Sequence, residues 1–123
     1  MPRRRAGRVT APHDLPDAAG LVEAVREFLE RDVMTSTEGR VQFHTRVAVR
    51  VLAMVERELA LGPVQERDHS AELQRLGVAD EAALAAAIRD GNLDDRMDEV
   101  RAFVAATVKA KLDVANPGYA DQP

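Results

Sequence analysis

The chain has 123 residues, a formal net charge of −4 and no cysteine. That length suits one domain able to bury a core unaided, and the missing thiols exclude disulfides, Cys-ligated zinc and a cysteine nucleophile. Nothing resembles a secretory leader or a membrane span, so a cytoplasmic protein with no membrane partner is expected.

Arginine far outnumbers lysine and alanine is abundant, a usage typical of GC-rich bacterial coding, so arginine richness is weak evidence for nucleic-acid binding. Arg3, Arg4, Arg5 and Arg8 crowd the N-terminus, which leaves the rest of the chain more acidic than the total. An acidic body repels phosphate backbones at long range. With no Trp, one Tyr and three Phe, base-stacking platforms are also missing. No nucleic-acid partner is expected.

Residues 1–12, MPRRRAGRVTAP, lack apolar periodicity and read as a flexible basic tail. The helical domain is expected over residues 13–116. A first helix should start with Asp14 as N-cap and Pro16 in the first turn, and carry Leu21, Val22, Val25, Phe28 and Leu29 on one stripe. Gly20 weakens it unless something packs closely there. Thr35 and Glu38 have capping-box spacing and predict a second helix from Ser36, ended by Gly62 and Pro63. Pro63 then opens a third helix to Leu76, with Val64, Leu73 and Leu76 as a thin apolar edge and Gly77 as its stop. Asp80 caps a fourth, Ala-rich helix carrying Leu84 and Ile88 and ending at Gly91. A fifth follows NLDD with Met97, Val100, Phe103, Val104, Val108 and Leu112 at helical spacing, until Asn116 and Pro117 stop it. Residues 117–123 form a C-terminal tail. No strand pattern competes, and the short connections favour antiparallel neighbours. The expected fold is an all-α, single-domain antiparallel bundle of about five helices around a central long helix.

That central helix holds the candidate site. Val41, Ala48, Leu52, Val55 and Leu59 share one side, and Phe43, Val47, Val51, Met54 and Leu61 widen the apolar arc to about half the circumference. The arc is expected to form the core, which makes His44, inside it, a buried or half-buried imidazole bonded to another helix. Glu58 flanks the arc and is expected to pair with a cation or with His44. Arg46, Arg50 and Arg57 cluster on the opposite sector. They read first as a solvated face, and alternatively as a partner surface or a site for the phosphates of a nucleotide-type ligand. His44 lacks a companion ligand at His-x-x-x-His spacing, and His13 and His69 lie elsewhere. Asp94, Asp95, Asp98 and Glu99 sit where the positive end of a helix favours acids, without an EF-hand's loop pattern. No phosphate loop, nucleophile elbow or Ser/His/Asp set is present. Neither metal nor cofactor is expected, and self-sufficient catalysis is not.

The stretches EAVREFLERDVM, GRVQFHTRVAVRVLAMVERELALGP, AAAIRDGNLDD and KLDVANPGY resemble an uncharacterised family of small helical bacterial proteins, over about Pro12 to Tyr119. Its members are similar to the small accessory subunit of the levulinate-type 4-hydroxyacyl-CoA kinase, which is encoded beside an aminoglycoside-phosphotransferase-like kinase and an acyl-CoA dehydrogenase-like enzyme. By that resemblance the family's motif positions fall on Phe43, His44, Arg46, Val47, Ala48, Arg57, Glu58 and Leu59, and on Asn116, Pro117 and Tyr119. Relatives commonly carry Ala-Asn where this chain has Val49 and Arg50, so a polar contact of that Asn would have to be rebuilt here.

The resemblance implies a non-catalytic accessory subunit in acyl-CoA catabolism, with a phosphotransferase-like kinase as partner and His44, Arg46, Arg57, Glu58, Asn116 and Tyr119 as candidate contacts, to which the basic strip adds Arg50. The alternative is a small ligand-binding bundle or a homo-oligomeric scaffold, with a pocket near His44 and Arg46.

Overall fold

The computed structural model describes residues 15–119. The expected basic tail, the capping role of Asp14 and the last residues of the C-terminal tail lie outside them. The described residues contain helices and no strand. In chain order the helices are α1 (Ala18–Phe28), a π-helical turn (Leu29–Val33), a short α2 (Met34–Ser36), α3 (Gly39–Arg75), α4 (Glu81–Arg89), a 3₁₀ turn (Asp94–Arg96) and α5 (Met97–Ala115).

Helix α1 starts three residues later than expected. Asp17 is the N-cap, and its carboxylate accepts from the Gly20 N–H at 2.9 Å. The same turn explains Gly20, because a Cβ there would meet the Pro16 Cβ at 3.0 Å and the capping carboxylate at 3.3 Å. The capping box expected from Thr35 and Glu38 does not form. The hydroxyls of Thr35, Ser36 and Thr37 donate back to the carbonyls of Arg31, Asp32 and Val33, closing the preceding helical segment instead. Thr37 is then extended, and α3 begins at Gly39, whose φ of 60° is one that glycine adopts without strain.

The larger departure is at Pro63. The expected second and third helices are one helix of 37 residues with Pro63 inside it. A proline within a helix removes one hydrogen bond and costs roughly 3 kcal/mol. Here Leu59 and Pro63 are both exposed, so the carbonyl released at Leu59 lies where water can reach it. With α2 only three residues long, four helices of substantial length are described where about five were expected. The chain divides into two compact units, the first ending at Ala60 and the second beginning at Leu61.

The buried core lies in the second unit, not on the central helix face where the sequence places it. Leu73 and Leu76 of α3, Leu84 of α4, Leu93, and Val100 and Phe103 of α5 form the cluster, with Val78, Ala87, Ile88 and Met97 against it. Glycine at 77 closes α3 in a Schellman motif: its N–H donates to the Gln74 carbonyl and the Val78 N–H reaches the Leu73 carbonyl at 3.1 Å. The same pattern ends α4 at Gly91, with the Asn92 N–H on the Ala87 carbonyl. Asp80 caps α4 through the Ala83 N–H at 2.8 Å, and Asn116 ends α5. Gln65 ties α3 to α5 by donating to the Ala110 carbonyl at 2.9 Å.

Arg96 makes the fastening in this unit that sequence spacing does not announce. Its guanidinium donates to the free carbonyls of Arg75 and Leu76 at the end of α3 and to Glu99 in the first turn of α5. A cation at a helix C-terminus is favoured by the dipole as well as by the hydrogen bonds. Leu76, only 2 % exposed, anchors this core. Leu76→Ala should lower unfolding free energy by ~2–5 kcal/mol. Leu21→Ala on the exposed side of α1 should change it by less than ~1 kcal/mol. Urea unfolding of both variants followed by far-UV circular dichroism measures this, and an equal loss at the two positions would contradict the placement of the core.

Candidate functional site

The first unit is organised around an ion pair. Arg26 of α1 donates to Glu56 of α3, both about three-quarters buried, and to Glu30 one turn along at 2.9 Å. The hydrogen bond that Arg26 donates to Glu56 is the main reason the Arg26 pKa lies above its ordinary value. On α3 the inward sector mixes polar, small and aliphatic side chains: Thr45 is buried, with Gln42, Val49, Leu52, Ala53 and Glu56 half-buried beside it at about 100° per residue. Gln42 also donates to the Met34 carbonyl at 3.1 Å, and Thr45 to the Val41 carbonyl at 2.7 Å.

The wide apolar arc of α3 consequently looks outward. Val41, Phe43, Val47, Val51 and Leu59 are exposed, while Ala48, Leu52, Met54 and Val55 are half-buried. His44 lies in this arc, and the expectation of an internal imidazole is overturned. It is exposed, its ring edge-on to Phe43 with centroids 5.4 Å apart. The cause is the packing choice of α1, which takes the Thr45–Glu56 sector and leaves the His44 sector in solvent. Glu58 is exposed on the same arc. It stands two heptads beyond His44, ~21 Å along the axis, so the expected pairing of the two cannot occur within one helix.

Arg46, Arg50 and Arg57 do run along one strip of α3. The first two are exposed and Arg57 is half-buried. Arg57 and Arg26 line an open groove of about 440 Å³ together with Glu30, Val49, Glu56 and Ala60. Two carboxylates already occupy the Arg26 guanidinium, so a phosphate entering there would have to displace them. Neither His44 nor Arg46 lines this groove. Asn116 and Tyr119 belong to the second unit. Asn116 donates its backbone N–H to the Leu112 carbonyl and accepts from the Tyr119 N–H at 3.1 Å, and Tyr119 is exposed.

The second unit engages the histidine that sequence reasoning set aside. His69 of α3 pairs with Glu81 of α4 at 2.9 Å and lies against the Phe103 ring at 5.1 Å. The signal was available: His69, Leu73 and Leu76 stand at i, i+4 and i+7, the spacing of one buried stripe. Beside it an open apolar groove of about 270 Å³ runs between Leu84, Ile88, Phe103 and Val108, with Lys111 at its edge. The acids grouped near α5 are engaged locally, Glu99 with Arg96 at 2.7 Å and Asp98 with Arg101 at 3.5 Å. Among the described residues no helix is long and apolar enough to cross a membrane, and no group of three or more His, Cys, Asp or Glu is placed to hold a metal ion.

The described residues define the class by their all-helical architecture. The chain belongs to a family of unknown function, DUF6285, whose profile matches residues 35–119. No curated protein and no solved structure matches it. The matched span takes in the whole of α3, α4 and α5. His69→Ala should lower stability by ~1–2 kcal/mol, through the lost ring contact and the unpaired Glu81. Arg50→Ala should stay within ~0.5 kcal/mol of the parent, as surface substitutions do. Thermal melts of the two variants check the ranking.

Proposed function

We propose that the chain is a non-catalytic accessory subunit that binds and supports an aminoglycoside-phosphotransferase-like kinase acting on hydroxyacyl-CoA. The kinase carries the phosphoryl-transfer chemistry. The identity of the partner rests on the resemblance of the α3 and C-terminal motifs to the small subunit of such kinases. The observation that carries a docking role is the outer stripe of α1, where Leu21, Val25 and Phe28 are each more than half exposed. These three residues share the helix side turned away from Arg26, so the contact with Glu56 leaves them in solvent. A row of large apolar side chains at i, i+4 and i+7 is the pattern an amphipathic helix offers to a groove on a partner.

Co-expression provides the test. The kinase should co-purify with this chain, and its hydroxyacyl-CoA phosphorylation should fall when the chain is omitted. Val25→Glu combined with Phe28→Glu should weaken the complex by at least ~tenfold while leaving the circular dichroism of the chain unchanged. A kinase equally active and stable without the chain would refute the reading.

A further inference from the structure

The outward arc of α3 has an internal symmetry. His44 lies one heptad before Val51 and Glu58 one heptad after it, and all three are exposed on the same face. The apolar residues follow the same centre, Val47 balancing Val55, Ala48 balancing Met54, and Phe43 balancing Leu59. We propose that this face is a homodimer interface, on which two copies of α3 pack antiparallel about a two-fold axis at Val51 and place His44 of each copy against Glu58 of the other.

Three observations favour a second copy as the occupant. The first is charge complementarity. A parallel pairing in the same register would set His44 against His44 and Glu58 against Glu58, whereas the antiparallel pairing makes two His44–Glu58 contacts. In each of them an imidazole N–H donates to a carboxylate whichever charge state the ring holds. The second is area. Five large side chains, from Leu59 at 41 % to Phe43 at 58 % exposed, and four half-buried neighbours form the arc. Together they offer on the order of 500 Å² of apolar surface, close to the apolar share of the ~800 Å² each partner brings to a standard interface. The third is closure. The arrangement is isologous, so two copies satisfy one another completely and no further subunit is recruited. The same polar groups tie the interface to one register, since sliding by a turn would bury His44 and Glu58 against valines.

The purified chain alone, without any kinase, tests this and separates it from the accessory role. Sedimentation should give a dimer, and Val51→Glu, at an exposed position that leaves the fold intact by circular dichroism, should weaken it by at least ~tenfold. His44→Glu should weaken it similarly by setting like charges face to face. Combining His44→Glu with Glu58→Lys should restore association, because both contacts again join opposite charges. The chain has no cysteine, so Val51→Cys introduces a unique thiol on the axis. Close-packed helices ~8–10 Å apart bring two such positions within disulfide reach, and mild oxidation should cross-link the dimer. Arg46→Cys, on the other side of α3, should not cross-link. A monomer at all accessible concentrations overturns the proposal. So does a dimer indifferent to Val51→Glu and His44→Glu, or one cross-linked through Arg46→Cys and not through Val51→Cys.

Discussion

The contact between Arg26 and Glu56 decides how the first unit presents itself. It sits between α1 and α3 with both partners mostly withdrawn from water, and Arg26 completes its coordination with Glu30. A half-buried guanidinium without its carboxylates would be strongly unfavourable, so the pair holds α1 to the sector of α3 that carries Glu56. Hydrophobic burial alone would turn the two apolar stripes toward each other. With the ion pair inside, Leu21, Val25 and Phe28 on one helix and the Val41–Leu59 arc on the other are left facing solvent. The surface available for docking is thus a consequence of a polar inner contact.

The second unit obeys the opposite rule and is correspondingly self-contained. Its leucines, with Val100 and Phe103, meet each other, and its turns are closed by backbone motifs that need only a glycine or an acid at one place. Arg96 adds a long-range fastening by covering the open carbonyl end of α3 while paired with Glu99. Since α3 begins in the first unit and ends in the second, the same helix has an inward apolar edge at Leu73 and Leu76 and an outward one at Val47 and Val51. One long helix thereby serves as core in one unit and as displayed surface in the other.

This division also explains what the amino-acid pattern could and could not disclose. Asp80, Gly77, Gly91 and Asn116 act within a turn of themselves, and each stops or starts a helix where its chemistry says it should. Pro63 misleads because its local penalty is set against the continuity of a 37-residue helix at an exposed position. The inner face of α3 was illegible for a different reason: periodicity reveals that a helix has an apolar side, never which neighbour arrives on it. On that account His69, to which no role was assigned, makes the interhelical contacts expected of His44. The arginine strip was legible as a strip, since helical spacing fixes it, but the engagement of Arg26 by Glu56 joins residues thirty positions apart.

The composition of the outer arc carries its own argument. Valine is a poorer helix former than alanine or leucine by up to ~0.7 kcal/mol, because its branched Cβ loses rotamer freedom against the preceding turn. Val41, Val47, Val51 and Val55 therefore weaken the very helix that displays them, and in the first three the side chain is exposed and gains little from burial in the isolated chain. Alanine or leucine would hold an isolated helix better. What β-branched side chains do offer is a stiff, ridged surface whose rotamers are already restricted, so that less entropy is lost when another helix packs on it. A stretch that is locally unfavourable as a free surface and well suited as an interface fits the proposed pairing of two copies. In that proposed pairing, the two polar residues placed evenly about Val51 supply the direction and register that a row of valines cannot.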